Sequence, residues 1–272
     1  MKSFKILGFI CARLGSSRLP GKMLMDIGGK PAIKCVYDRF SRSKYIDKVV
    51  VATTDTVKDD PLCEYLEENG IDYFRGDEDD VLGRISNAID FYNPDICVEV
   101  YGDAPFNDHL IVDEFICKFL NSNYDFLGND LKTTYPPGLD VEVFKSESLL
   151  HAARIESDPA IREHGTLAIR MRPKTFNIKN IIAPKDLFRP NFQLSLDTIE
   201  DLNVFNKILS VLNHDVSAID LIKYLDKNLE ILNENHSITR KYSMYRDEGL
   251  SDLQKKDWNN MHDLLTKTTR IE

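Results

Sequence analysis

The chain has 272 residues, of which 42% are hydrophobic and 29% charged, and its formal net charge is −9. This length allows one large domain or two small ones, and the composition is that of a soluble globular protein. The acidic excess argues against general affinity for nucleic acids or for anionic membrane surfaces, so a cluster of cations in this chain needs a local explanation.

The five cysteines predict a reducing environment. They are scattered, odd in number and set in apolar patterns, without the spacing of a CxxC motif or a metal site: Cys11, Cys35, Cys63, Cys97 and Cys117. We therefore expect reduced core residues in a cytoplasmic protein. The apolar run before Arg13 is far shorter than the ~20 residues of a membrane span, and we interpret it as a buried strand.

Apolar runs alternate with helical patterns through the first half of the chain. The predicted strands cover 4–10, 48–54, 72–76 and 95–102, and the predicted helices cover 31–43, 60–70, 79–92 and 109–122. This alternation is typical of a doubly wound, mostly parallel sheet, so we predict a three-layer α/β/α fold of Rossmann-like type. Ligands of such folds bind beyond the carboxyl ends of the strands.

The pattern changes beyond about residue 130. Strands are predicted over 138–144, 175–182 and 191–197, and helices over 146–157, 198–212 and 217–232. No linker, repeat or low-complexity segment interrupts residues 1–232, which we interpret as one domain. Residues 233–272 form a polar C-terminal extension with the single tryptophan, Trp258.

The loop after the first strand reads ARLGSSRLPGK and contains three cations, Arg13, Arg18 and Lys22. It is not a P-loop, because five residues rather than four separate Gly15 from Gly21 and because Met23 stands where the metal-binding hydroxyl should be. The residues that follow do not open a helix aimed at a phosphate. A surface turn with solvated cations is one interpretation of this loop.

A triphosphate site is the other interpretation. The loop directly follows a buried strand, and its small residues let backbone N–H groups approach an anion: Gly15, Ser16, Ser17 and Gly21. The three cations would neutralise most of the charge of a triphosphate.

With motifs further along the chain, this loop resembles the signature of the cytidylyltransferases that activate sugar acids. These include CMP-Kdo synthetases and acylneuraminate cytidylyltransferases, and the closest resemblance is to their spore-coat polysaccharide branch. The shared motifs occur in family order: ARLGSSRLPGK (12–22), VVATT (50–54), FRG before DDVL (74–82), GD-P (102–105), GLDVEVF (138–144), REH (162–164) and DT-ED (197–201). The chain departs from the branch at Phe106 and after REH, where GTLAIR replaces a Val-Thr run.

The resemblance implies a nucleotidyltransferase that uses CTP and Mg²⁺. It would transfer CMP to a small anionic acceptor (a sugar acid, a sugar phosphate or a related phosphate or phosphonate) and release pyrophosphate. The setting would be surface polysaccharide or glycoconjugate biosynthesis, and a homodimer is common in the family.

The resemblance also implies the roles of individual residues. The triphosphate and the leaving pyrophosphate would be held by Arg13, Arg18 and Lys22, and the backbone at Ala12 would contact the base. The full nucleotide set would be Ala12, Arg13, Gly15, Ser16, Arg18, Lys22, Arg84, Gly102 and Asp103. The acceptor side would be lined by Asp140, Glu142, Arg162 and His164, with Arg162 suited to clamp a carboxylate or phosphate.

Two aspartates end apolar strands at the predicted ligand edge, Asp103 after 95–102 and Asp197 in 191–197. Mg²⁺ bridges phosphate oxygens in nucleotidyl transfer and takes one or two carboxylates from a protein, so this pair suits it. Asp103 also suits a turn before Pro105, and Asp197 a helix N-cap before Thr198. The resemblance points to the same two aspartates as the metal ligands.

The acidic segment 77–80 keeps a different class of function open. Asp77-Glu78-Asp79 has the DxD form with which glycosyltransferases hold the metal of a nucleotide sugar. The segment also precedes a helical pattern, and acidic residues favour the positive end of a helix. We therefore interpret Asp79 and Asp80 as first-turn residues.

Arg84 follows the acidic segment and is expected to be a surface cation or a nucleotide contact.

A non-catalytic nucleotide-binding module is the third class of function that we consider. The intact set Arg18, Lys22, Asp103 and Asp197 argues against it.

Overall fold

The computed structural model describes residues 4–236. Its centre is a seven-stranded sheet of order β5-β4-β1-β6-β8-β7-β9. The strands are β1 (Ile6–Cys11), β4 (Lys48–Thr54), β5 (Tyr73–Gly76), β6 (Ile96–Tyr101), β7 (Phe126–Gly128), β8 (Glu142–Lys145) and β9 (Ile178–Asn180). A separate hairpin pairs β2 (Asp26–Ile27) with β3 (Lys30–Pro31).

The sheet is mixed and mostly parallel, as predicted. Strand β1 pairs in parallel with both β4 and β6, whereas β8 is antiparallel to both of its neighbours. After β1 the chain first adds β4 on one side of it and later adds β6 on the other side, so the direction of strand addition reverses at β1. Cys11, at the end of β1, therefore lies between Ala52 of β4 and Tyr101 of β6. This reversal opens a crevice at the carboxyl ends of β1 and β6, where ligands of such folds bind.

Helices cover both faces of the sheet and confirm the predicted three layers. They are α1 (Ala32–Phe40), α2 (Asp60–Glu68), α3 (Val81–Tyr92), α4 (His109–Leu120), α5 (Ser146–Ile155), α6 (Pro159–Arg162), α7 (Leu167–Arg170), α8 (Ile199–Leu209), α9 (Ala218–Lys227) and α10 (Asn233–His236). One core contains the apolar faces of α1, α2, α4, α8 and α9, and the other those of α3, α5, α6 and α7. Among the described residues, no helix combines the length and the hydropathy that a membrane crossing requires.

The strand predicted over 191–197 is wrong. The alternation is real, since Phe192, Leu194 and Leu196 are buried. However, the segment bonds to loops rather than to a strand: Leu194 N donates to Pro137 O (2.8 Å) and Leu196 N to Asp103 O (2.7 Å). An extended chain packed under loops has the same period-two pattern as a strand.

The last described residues lie within the predicted extension. Asn235 is 2% exposed, and its Nδ2 donates to Asp201 Oδ1 (2.8 Å) and to Gln193 O (3.2 Å). Helix α10 therefore packs on the domain. Trp258 and the rest of the extension lie outside the described residues.

Candidate active site

A pocket of about 350 Å³ lies at the carboxyl ends of β1 and β6. It is lined by Cys11, Ala12, Arg13, Gly15, Ser16, Ser17, Arg18, Lys22, Met23, Tyr101 and Asp103. The structure thus brings together most of the residues that the sequence assigned to the nucleotide. A larger pocket of about 450 Å³, which Phe4 and Asp95 help to line, lies at the other end of the strands and contains none of those residues.

A buried carboxylate fixes the start of the loop that carries the three cations. Asp59 is 1% exposed, and its Oδ1 accepts a hydrogen bond from Leu14 N at 2.7 Å. Its Oδ2 accepts from Thr53 Oγ1 (2.9 Å), Thr54 N (3.1 Å) and Thr54 Oγ1 (2.6 Å). Asp59 therefore anchors the loop to the end of β4. Sequence reasoning missed this residue, although it stands shortly after the VVATT motif.

Glycine is required where β6 meets the loop. A Cβ on Gly102 would come within 2.8 Å of both Ala12 Cβ and Met23 Sδ. Gly102 N donates to Cys11 O at 2.9 Å, which fixes this close approach. Any side chain at this position would separate β6 from the pocket floor.

Lys22 lies between the two aspartates that were predicted to bind metal. Its Nζ is 2.9 Å from Asp103 Oδ2, 3.1 Å from Asp197 Oδ1 and 2.8 Å from Leu196 O. Burial alone would lower the pKa of Lys22, but the charges of Asp103 and Asp197 outweigh it and raise the pKa. The lysine is therefore a charged ammonium that joins two carboxylates from distant parts of the chain.

The two arginines of the loop have different partners. Arg18 Nη2 is 3.0 Å from Asp197 Oδ1, whereas Arg13 Nη1 donates to Glu78 O at 3.3 Å. Their side chains are 32% and 37% exposed, so both guanidinium groups can reach a ligand in the pocket. The three cations of the loop therefore surround one space.

Asp197 is not the helix N-cap. Thr198 caps α8, in a capping box with Asp201. Asp201 is fully buried, and its Oδ2 accepts from Asp197 N and Thr198 N, each at 2.9 Å. Because the cap is one residue further on, the Asp197 carboxylate points to Lys22 and Arg18.

The acidic segment 77–80 forms the start of α3. Asp80 is the N-cap and its Oδ1 accepts from Gly83 N, while Asp77 Oδ1 accepts from the backbone nitrogens of Asp79 and Asp80, all at 2.8 Å. These backbone bonds lower the pKa of Asp77. The acidic segment therefore lies at a helix start, but the prediction of Asp79 and Asp80 as first-turn residues is wrong, because Asp80 is the N-cap and Asp79 precedes it. Within residues 4–236, no group of three or more His, Cys, Asp or Glu residues is arranged to hold a metal.

Arg84 is not a surface cation. It is 3% exposed and its Nη1 donates to Asp77 O at 2.9 Å, so the expectation of a solvated side chain was wrong. Its position on α3 turns it inward, towards Glu99 and Cys11, whose pKa values its charge lowers against the larger, opposite effect of burial. Arg84 thus lies beneath the pocket rather than in its lining.

A buried polar cluster lies beside the pocket on β6 and β8. Glu142 is fully buried, and its carboxylate accepts hydrogen bonds from Tyr101 Oη (3.0 Å) and Thr166 Oγ1. Burial raises the pKa of Glu142 to about 8 and that of its register partner Glu99 to about 7, although Arg170 opposes both shifts. Since Tyr101 also lines the pocket, Glu142 lies one hydrogen bond away from it.

Sequence reasoning missed four members of this cluster, Glu99, Asp130, Thr166 and Arg170. Arg170 is paired with Asp130 and lies 3.5 Å from Glu142 Oε1. A charged residue inside an otherwise apolar segment was the available signal for Glu99 and Arg170.

Asp140 lies on a loop that packs against the segment before Asp197. Its Oδ2 accepts from Gly138 N at 2.9 Å, and burial raises its pKa to about 7. Gly138 has φ of 100°, and a Cβ there would come within 2.3 Å of Leu194 O, so only glycine fits. The charges of Asp130 and Asp103 raise the pKa of Asp140 further.

The two remaining acceptor candidates lie around α6. Arg162 Nη1 donates to Ala153 O and Glu156 O at 2.9 Å, and its Nη2 donates to Asp80 Oδ2 at 2.7 Å. Through these three bonds the guanidinium of Arg162 joins α6 to α5 and to the start of α3. His164 is partly buried and precedes Gly165. A Cβ added at Gly165 would lie 2.9 Å from Glu99 Oε2, so the backbone here passes close to that carboxylate.

Comparison with known proteins identifies the family. Residues 7–248 match the sequence profile described as "Cytidylyltransferase". The chain is similar to the spore coat polysaccharide biosynthesis protein SpsF of Bacillus subtilis, with 31% identity over 85% of this chain and 98% of the relative. It is also similar to the 3-deoxy-manno-octulosonate cytidylyltransferase 2 of Hydrogenovibrio crunogenus, with 36% identity over 43% of this chain and 48% of the relative.

A solved structure shows the same fold over the whole of its own length. The structure of a cytidylyltransferase from Leptospira borgpetersenii superimposes with a TM-score of 0.81 at 32% identity, covering 87% of this chain and 100% of that one. Profile, sequence relatives and fold agree: the chain is an enzyme of the nucleotidyltransferase class and belongs to the cytidylyltransferase family.

Proposed function

We propose that this protein transfers CMP from CTP to a small anionic acceptor and releases pyrophosphate. The single observation that carries the proposal is the convergence of Arg13, Arg18 and Lys22 on one pocket at the switch point of the sheet. Two relatives support the choice of nucleotide and acceptor, since one is named a 3-deoxy-manno-octulosonate cytidylyltransferase and the other a spore coat polysaccharide biosynthesis protein. A sugar acid, a sugar phosphate or a related phosphate or phosphonate is the proposed acceptor class.

The chain's own residues account for most of the reaction. The acceptor oxygen attacks the α-phosphorus of CTP, the new P–O bond forms, and the bond to the β-phosphate oxygen breaks. The charge that develops on the pyrophosphate is stabilised by Arg13, Arg18 and Lys22, whose loop is fixed before the reaction by the Asp59 anchor. Glu142 bonds to Tyr101, which lines the pocket, and is a proposed acceptor contact together with Asp140 and His164.

The donor set fits Mg²⁺. Asp103 Oδ2 and Asp197 Oδ1 both lie within 3.1 Å of one point, the Lys22 ammonium, so their oxygens already converge on a cation. When bound there, Mg²⁺ would neutralise phosphate charge and orient the triphosphate. The acidic segment 77–80 is a weaker candidate, because backbone N–H groups occupy Asp77 and Asp80.

Pyrophosphate release is the test. All four nucleoside triphosphates are supplied with Mg²⁺ against a panel of sugar acids, sugar phosphates and phosphonates. We expect release with CTP and one acceptor class, together with the largest thermal stabilisation by CTP; a ligand at a hundred times its Kd contributes about 2.7 kcal/mol. A larger effect of another triphosphate contradicts the base assignment, and use of a nucleotide sugar without pyrophosphate release supports a glycosyltransferase.

We also propose that the protein is a cytoplasmic homodimer. An acidic chain with five free cysteines suits the cytoplasm, and a homodimer is proposed from the family resemblance. Light scattering at several protein concentrations tests the assembly, and a monomer at all of them contradicts it.

A further inference from the structure

Three oxygens surround the Lys22 ammonium. They are Asp103 Oδ2 at 2.9 Å, Asp197 Oδ1 at 3.1 Å and the Leu196 carbonyl oxygen at 2.8 Å. The lysine side chain is 10% exposed, so these oxygens have replaced most of its water. Two carboxylates and a backbone carbonyl are also the ligand types that hard divalent cations prefer.

The oxygens are held in place without Lys22. Leu196 N donates to Asp103 O at 2.7 Å and thereby joins the two segments that carry the carboxylates. Asp197 N donates to Asp201 Oδ2 at 2.9 Å, and Asp201 is fixed in turn by Asn235 Nδ2 at 2.8 Å. We call the group Asp103 Oδ2, Asp197 Oδ1 and Leu196 O the oxygen cage. Bonds that do not involve Lys22 fix the backbone that carries it, and Arg18 also holds the Asp197 carboxylate.

Lys22, in contrast, can leave the cage. Its side chain is a flexible four-carbon stem, and it lies at the start of a single 3₁₀ turn, after Gly21 with φ of 74°. Both Lys22 and Asp103 line the pocket, so a short movement carries the ammonium from the cage to a ligand there. A triphosphate in the pocket would attract it.

We propose that the Lys22 ammonium and a divalent cation occupy the oxygen cage in turn, with the Leu196 carbonyl as the third protein ligand. Without nucleotide the lysine fills the cage and keeps the metal out, because the ammonium and a metal ion would have to occupy the same point among the three oxygens. With nucleotide, the phosphates draw Lys22 away and the metal enters. The role given to the nucleotide rests on the proposed function, but the competition itself does not.

The test compares wild type with Lys22→Met, which keeps the length of the side chain and removes its charge. Without nucleotide, Mn²⁺ binding is measured by electron paramagnetic resonance and Tm is followed with increasing Mg²⁺. We expect Lys22→Met to melt below wild type in EDTA, to regain Tm with Mg²⁺, and to bind Mn²⁺ about tenfold or more tightly than wild type. Wild type should gain little Tm from Mg²⁺ alone.

Two control variants distinguish an effect of emptying the oxygen cage from an effect of changing the net charge of the pocket. Arg13→Met removes a cation of the same pocket that pairs with Glu78, and it should leave Mn²⁺ binding unchanged. Adding Asp197→Asn to Lys22→Met should abolish the gain. If the methionine variant does not fold, Lys22→Gln takes its place.

Equal Mn²⁺ affinity in wild type and Lys22→Met overturns the proposal, as does a gain that survives Asp197→Asn. These measurements contain no nucleotide, so a failure of CTP to bind contradicts the proposed function alone.

Discussion

The Asp59 carboxylate accepts a hydrogen bond from Leu14 N at 2.7 Å and so ties the loop of three cations to the end of β4. Asp59→Asn can keep this bond, but its amide nitrogen then faces the donors at Thr53 and Thr54 that now share Oδ2. A buried donor without an acceptor costs about 1–3 kcal/mol. We expect the free energy of unfolding to fall by about that amount and triphosphate binding to weaken, measured by urea unfolding and calorimetry.

Asp60→Asn is the matched control, because its carboxylate is 47% exposed and pairs with Arg75. It should change neither property appreciably. Wild-type triphosphate affinity in Asp59→Asn would show that the loop keeps its position without the anchor.

The sequence predicts the elements of the first half well because their signals are local. Strand β4 is found at Lys48–Thr54, as predicted, since a mostly β-branched run marks a strand buried on both faces. The strand prediction for 191–197 was wrong because burial alternates in any extended chain, whether or not it pairs in a sheet. The partner of Leu196 N is Asp103 O, which is far away along the chain and cannot be inferred from the local sequence. The hairpin β2–β3, strand β7 and helices α6 and α7 were not predicted, because two to four residues carry too little periodicity.

The site was predicted only as far as its residue types allow. Lys22, Asp103 and Asp197 were singled out, but their contact could not be, since it joins residues that are 81 and 175 positions apart. Asp59 and Glu99 were missed for the same reason: each resembles an ordinary helix-start or strand residue until its buried partners are known.

Arg18→Ala should separate binding of the triphosphate from binding of the nucleoside monophosphate. The Arg18 side chain is 32% exposed and that of its partner Asp197 is 15% exposed, so loss of this pair should change the free energy of unfolding by less than about 1 kcal/mol. A hydrogen bond to a charged group is worth about 1.5–3 kcal/mol, so CTP affinity should fall about ten- to a hundredfold while CMP affinity stays unchanged. Calorimetry with both ligands measures this, and an equal loss for CMP would place Arg18 elsewhere than on the pyrophosphate.

Arg162→Ala should act on stability. The guanidinium donates hydrogen bonds to Ala153 O, Glu156 O and Asp80 Oδ2, and truncation of the side chain removes this donor from all three oxygens. We expect a loss of about 1.5–3 kcal/mol in unfolding free energy and an unchanged acceptor KM where the variant is folded. Arg154→Ala, an exposed arginine on α5, is the control. A raised acceptor KM at unchanged Tm would instead establish Arg162 as an acceptor clamp.

Asp103→Asn and Asp197→Asn should have non-additive effects on pyrophosphate release. If one metal ion needs both carboxylates, removing either already displaces it, so the double variant loses little more than each single one. A double-mutant cycle at saturating CTP, titrated with Mg²⁺, measures the coupling. Asp79→Asn, at an exposed position before the α3 cap, should be nearly silent. Additive losses would mean that the two aspartates serve separate roles, and inactivity of Asp79→Asn would move the metal to the acidic segment.

Glu142→Gln should remove part of the pH dependence of stability. Burial raises the pKa of Glu142 from 4.5 to about 8, so the folded protein holds a proton that the unfolded chain releases above its ordinary pKa. The stabilisation is therefore complete below about pH 4.5 and is lost as pH rises towards about 8. We expect wild type and Glu142→Gln to melt alike near pH 4.5 and the variant to melt increasingly higher than wild type up to pH 8.5. Glu147→Gln, an exposed neighbour on α5, controls for net charge, and parallel Tm curves for wild type and Glu142→Gln would mean that Glu142 is already ionised in the fold.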